Sequence, residues 1–181
     1  MNLPNLISLG RLLAVPVAVW LVLSGEFTAA FWLFVLAGVS DGVDGYLAKR
    51  FNQRTEIGAL LDPIADKALL VSIFVTLGLA GHLPAWLVIL AVFRDLLIIG
   101  GFLLGRLIGI ETRSRPLLIS KINTGMQILL AAYTLARLGL GFEDTGVGPA
   151  LVYAVATTTV LSGAGYLVRW ARTLAGLEQA P

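Results

Sequence analysis

Six long apolar runs, each separated from the next by a short polar or glycine-containing stretch, set the pattern of this chain. They cover about residues 4–24, 27–48, 58–80, 84–110, 117–140 and 149–172. Each is close to the ~20 residues that an α-helix needs to cross the hydrocarbon core of a bilayer. The breaks fall at Ser24-Gly25-Glu26, at the basic turn 49–54, at Gly81 to Pro84, at Glu111 to Pro116 and at Gly141 to Gly148. The pattern predicts an all-α integral membrane protein with six transmembrane helices, forming a single domain over residues 1–181 without internal repeats. The first run opens at Pro4 with no basic flank and no small-residue cleavage site, so it reads as a permanent helix and not as a signal peptide.

Composition agrees with the pattern. Charged residues make up 13% of the chain, about half the share usual in a soluble domain, and the mean hydropathy is +0.88. Cysteine is absent, which excludes disulfides, thiolate catalysis and zinc–thiolate sites. The one histidine, His82, sits in a turn, so no histidine cluster or Ser-His dyad can form. The basic pI, near 9.2, reflects topology signals; no nucleic-acid partner is expected. Lys49, Arg50 and Arg54 share one loop, Arg106, Arg113, Arg115 and Lys121 surround another on the same side, and Arg169 and Arg172 follow there. Glu26, Glu143 and Asp144 fall opposite, with only Arg137 near them. The positive-inside rule then places both termini and the 49–54 loop in the cytoplasm, on what is expected to be a bacterial inner membrane.

Against this background four aspartates stand out. Asp41 and Asp44 are three residues apart and Asp62 and Asp66 are four apart, so each pair shares a helix face. The two pairs flank the polar turn at 49–54 at comparable distances, and an antiparallel hairpin would bring them face to face. A single Asp at mid-membrane costs roughly 2.5–3.5 kcal/mol, so carboxylates at this depth are candidates for a functional site. Helix capping would account for Asp62, just before Pro63, but not for four acids. Converging carboxylates suit a hard cation such as Mg²⁺, Mn²⁺ or Ca²⁺; without one they would repel one another.

The stretch Asp41-x-x-Asp44-Gly45-x-x-Ala48-Lys49, eight residues, then Gly58-x-x-x-Asp62-x-x-x-Asp66 resembles the signature of the CDP-alcohol phosphatidyltransferase family. Only Lys49 departs from it, standing where the family has Arg; the charge is kept and the bidentate fork is lost. Arg50 follows at once. The resemblance implies two divalent cations, Mg²⁺ or Mn²⁺, with Asp41, Asp44 and Asp62 as ligands and Asp66 as both catalytic base and second-metal ligand. It implies that Asp44, Gly45, Ala48, Lys49 and Gly58 bind the nucleotide and diphosphate, the small residues leaving room for them. Pro4-Asn5 and Arg11 are similar to the family's amino-terminal segment; Asn5 and Arg11 would join the diphosphate site, or Arg11 would simply snorkel.

Other features bear on the acceptor. Arg94 and Asp95 lie mid-run, where an ion pair between neighbours is awkward; Asp95 could meet Lys67 or Lys121, and Arg94 a lipid phosphate. Arg113, Arg115 and Lys121 could form an anionic headgroup pocket. Ser120-Lys121-Ile122-Asn123-Thr124 and Arg94-Asp95 resemble segments of the eukaryotic-type cardiolipin synthases within the family. The implied reaction transfers a phosphatidyl group from CDP-diacylglycerol to phosphatidylglycerol. The alternatives are glycerol 3-phosphate as acceptor and, in another class, a cation-coupled membrane transporter, which would call for an inverted repeat. Gly101, Gly105 and Gly109 would allow close helix approach and a homodimer seam. Trp20, Trp32, Trp86 and Trp170 read as interfacial anchors.

Overall fold

Every apolar run is a helix in the computed structural model, which describes residues 3–51, 56–107 and 117–176. The elements are α1 (Leu3–Leu23), α2 (Phe27–Phe51), α3 (Glu56–Leu79), α4 (Ala85–Leu107), α5 (Leu118–Leu140) and α6 (Val147–Leu174). Among the described residues there is no strand. Among the residues whose side chains are described, two stretches, Ala85–Gly105 and Val147–Arg172, are long and apolar enough to cross a membrane. α2 continues as helix to Phe51, three residues past the apolar run that ends at 48. The polar segment Asp41–Phe51 thus extends the helix and does not end it, because Leu, Ala, Lys and Arg are all good helix formers. α3 starts at Glu56, so Pro63 lies inside it and Asp62 is not its cap. Proline inside a helix removes one backbone bond but need not end the helix.

The residues group into two compact units, one of Met1–Leu83 with Ala131–Thr145 and one of Pro84–Leu130 with Gly146–Pro181. In the first unit α1 packs on both α2 and α3. Its contact faces are built around small side chains: Ala18, Ala30, Ala37 and Ala65 are buried, beside Val22, Leu69, Ile73 and Leu77. Small residues let backbones approach closely where lipid provides no hydrophobic drive for helix association. α1 and α3 end in the same way. Gly25 and Gly81 take φ of 77° and 78°, and the amides of Glu26 and His82 return to the carbonyls of Leu21 and Leu77 at 2.9 Å. Glycine takes this left-handed conformation without a Cβ penalty.

In the first unit α2 and the end of α5 meet backbone to backbone at one point. A Cβ at Gly139 would lie 2.7 Å from the backbone of Thr28, and the Thr28 hydroxyl donates to the Gly139 carbonyl at 2.6 Å. Gly139→Ala must push the helices apart, with an expected cost of about 1–3 kcal/mol. A lowered melting temperature of the detergent-solubilised protein checks this; an unchanged one refutes the contact.

In the second unit α4 packs on α6. The outward side of α4 carries Ile89, Phe93, Leu96, Ile99, Leu103 and Leu107, all exposed. Such an apolar surface suits lipid rather than water. Arg94 and Asp95 turn the other way and are 4% and 7% exposed. Gly101 faces α6 of its own unit, where a Cβ would come 3.0 Å from the Trp170 indole nitrogen. Gly105 is buried as well. Neither glycine offers an outward seam for a second copy, and Gly109 lies outside the described residues.

Candidate active site

The carboxylates sit on continuous helices. Positions 41, 44, 45 and 48 fall on one face of α2, and positions 58, 62 and 66 on one face of α3, from the helical repeat alone. Among these residues only the Asp66 side chain is described. The side chains of Asn5, Asp41, Asp44, Ala48, Lys49 and Asp62 lie outside the described residues, and so does the face-to-face arrangement expected of the two aspartate pairs. The donor set consists of oxygens. His82 stands beyond the far end of α3, which is itself about 20 Å from Asp66 at 1.5 Å per residue. Such a set fits a hard cation and not a thiolate or imidazole site.

Asp66 is held from the side by α1. Arg11 Nη1 donates to Asp66 Oδ1 in an ion pair whose side chains are 2% and 41% exposed, respectively. Sequence periodicity explains the meeting. Arg11 heads the stripe Arg11, Ala18, Val22 on α1, and Asp66 heads the stripe Asp66, Leu69, Ile73, Leu77 on α3, all at helical spacing. Arg11 therefore does not snorkel to the membrane surface; it is buried against a carboxylate. Two residues singled out separately in the sequence are brought together across 55 positions. Asp66 keeps enough open surface for a carboxylate oxygen to meet a cation or a substrate proton.

The second unit holds a different polar cluster. Arg94 Nη1 donates to Asp95 Oδ1 at 2.8 Å, Nε donates to Ser162 Oγ at 3.0 Å, and Nη2 donates to both Ser162 Oγ and Ser120 Oγ. The adjacent pair Arg94-Asp95, awkward on sequence grounds, is formed because the long arginine side chain folds back around the helix. One turn away Asn123, fully buried, accepts from Thr158 and Thr159 through Oδ1 at 2.9 and 2.8 Å. Its Nδ2 meets no acceptor. Lys121, between these layers in sequence, is exposed on the next face of α5. Arg113 and Arg115 lie outside the described residues. Along the sequence Ser120 and Asn123 stand out only as part of a motif, and Thr158, Thr159 and Ser162 do not stand out at all. The available signal was a run of small and hydroxyl residues, Thr157 to Gly165, inside an otherwise apolar helix.

A family model described as CDP-alcohol phosphatidyltransferase matches residues 1–168. A chloroplastic CDP-diacylglycerol–glycerol-3-phosphate 3-phosphatidyltransferase 1 of Oryza sativa subsp. japonica is 34% identical over 94% of this chain and 57% of its own length. A CMP-forming cardiolipin synthase of Rattus norvegicus is 32% identical over 91% of this chain and 60% of its own. One from Streptomyces coelicolor is 40% identical over 55% of this chain and 49% of its own. The chain thus spans less than two thirds of the length of these relatives.

Proposed function

From the premise that this chain belongs to the CDP-alcohol phosphatidyltransferase family, we propose that it transfers a phosphatidyl group from CDP-diacylglycerol to phosphatidylglycerol, giving cardiolipin and CMP. The observation that carries the reading is Asp66: the last acid of the signature, open to solvent on one side and braced by Arg11 on the other. Family membership leaves the transporter reading without support.

Asp41, Asp44, Asp62 and Asp66 would hold two Mg²⁺ or Mn²⁺ ions. Bound there, the ions would neutralise the diphosphate and polarise the phosphorus under attack. Asp66 accepts the proton of the acceptor hydroxyl. The acceptor oxygen bonds to the lipid-side phosphorus, the bond from that phosphorus to the bridging oxygen breaks, and CMP leaves with the electron pair. Phosphoryl transfer of this kind asks the protein for positioning and charge neutralisation more than for covalent help. Arg11 orients Asp66; Asn5, Gly45, Ala48, Lys49 and Gly58 line the nucleotide side. Lys121 binds the acceptor phosphate, and Arg113 and Arg115 would add charge for the same headgroup. All six helices cross the membrane, with both termini and the carboxylates on the cytoplasmic side.

Two features favour a lipid acceptor: the Ser120-to-Thr124 segment with Arg94-Asp95, and cardiolipin synthases among the relatives. The name of the Oryza sativa relative favours glycerol 3-phosphate as the second reading. Purified protein given CDP-diacylglycerol, Mg²⁺ and each acceptor in turn decides between them. The expected products with phosphatidylglycerol are CMP and cardiolipin, with no CMP from glycerol 3-phosphate and none in excess chelator. Turnover with glycerol 3-phosphate alone would reassign the acceptor, and full activity in chelator would remove the metals.

A further inference from the structure

Arg94 was expected to bind lipid phosphate, yet its surroundings do not leave it available. Its side chain is buried, and Nε, Nη1 and Nη2 are all engaged by groups on three helices. Four of the five N–H groups of a guanidinium are accounted for by Asp95, Ser120 and Ser162. The neighbouring carboxylate neutralises the charge, which makes its burial affordable. α6 is stripped of bulk where it is approached. A Cβ at Gly163 would lie 3.8 Å from Arg94 Cγ, and one at Gly165 would lie 3.1 Å from Leu117, the residue just before α5. The Asn123–Thr158–Thr159 layer repeats the connection one turn further along the same two helices.

We propose that Arg94 is a positioning residue. Its fork clamps α5 to α6 through Ser120 and Ser162 and thereby sets the place of Lys121. Ser120 and Lys121 are consecutive, about 100° apart around α5, so the clamp that draws Ser120 inward turns Lys121 outward. The clamp is geometric: it needs donors pointing in several fixed directions, which guanidinium has and an ammonium lacks. The inference rests on Lys121 being the acceptor-phosphate ligand of the preceding section.

Two measurements test it. In the first, Arg94→Lys keeps the charge and loses the fork. It is expected to raise KM for phosphatidylglycerol about ten-fold, as a misplaced contact does, with KM for CDP-diacylglycerol little changed. In a Lys121→Ala background Arg94→Lys should add almost nothing, because the residue it acts through is gone. Ser162→Ala should shift KM in the same direction by a smaller factor, and it carries the comparison if Arg94→Lys fails to fold. If Arg94→Lys multiplies KM by its full factor in the Lys121→Ala background, the proposal is overturned while the role of Lys121 stands. If Lys121→Ala leaves the acceptor KM unchanged, the Lys121 assignment falls and the proposal with it.

The second measurement does not depend on turnover. The chain has no cysteine, so Lys121→Cys gives a unique site for a nitroxide label. Arg94→Lys or Ser162→Ala should increase the mobility of that label relative to the same label with the clamp intact. An unchanged spectrum would overturn the clamp whatever the acceptor proves to be.

Discussion

Replacing Asp66 by Asn is expected to lower CMP release about 10²–10⁴-fold, the usual worth of a general base, while CDP-diacylglycerol still binds. Asn keeps a carbonyl oxygen to accept from Arg11 but cannot take the hydroxyl proton. Asp41→Asn and Asp62→Asn should lose turnover and weaken substrate binding as well, because the proposed cations anchor the diphosphate through these carboxylates. Binding measured by titration of a fluorescent CDP-diacylglycerol, alongside CMP release, separates the two classes. If Asp66→Asn lost binding as badly as Asp41→Asn, a distinct role as base would be unsupported. The comparison is informative because Asp66 has a counter-charge from α1.

Arg11 and Asp66 are expected to be unequal partners in stability. Arg11 is the buried member, at 2% side-chain exposure, and Asp66 the open one, at 41%. Removing the arginine, as in Arg11→Met, leaves a carboxylate that water can solvate, so the expected loss is about 1–2 kcal/mol, below the usual cost of breaking a buried pair. Removing the acid, as in Asp66→Ala, takes a carboxylate partner from a buried guanidinium, with an expected loss larger than that for Arg11→Met. Arg11→Met should nonetheless cost activity heavily, because the acid is no longer held in place, and Arg11→Lys should restore part of it. Denaturation in detergent and a double-mutant cycle on CMP release check both halves. Equal stability losses for Arg11→Met and Asp66→Ala would contradict the burial asymmetry, and additive activity losses would contradict the coupling.

The six helices were legible along the chain because a long apolar helix is a local event: about twenty residues that satisfy their own backbone bonds. The described bounds differ from the apolar runs by a few residues, as at the polar end of α2, where the helix runs on to Phe51 past the run's end at 48. The carboxylate signature was equally legible, since Asp41 to Asp66 lie within one continuous stretch whose residue types and spacing carry their chemistry. What the linear chain could not express was partnership across distance. Arg11 and Asp66 are 55 positions apart, and Arg94 and Ser162 are 68 apart. Each taken alone is a costly charge or an ordinary hydroxyl in an apolar helix. Only the packing of α1 on α3 converts Arg11 from a surface or phosphate-seeking cation into a brace for Asp66. In the same way, the close approach of α4, α5 and α6, allowed by Gly163 and Gly165, turns Arg94 from a prospective ligand into an internal tie. Burial decides which donors remain for a substrate, and burial is a property of the assembled helices rather than of any one of them.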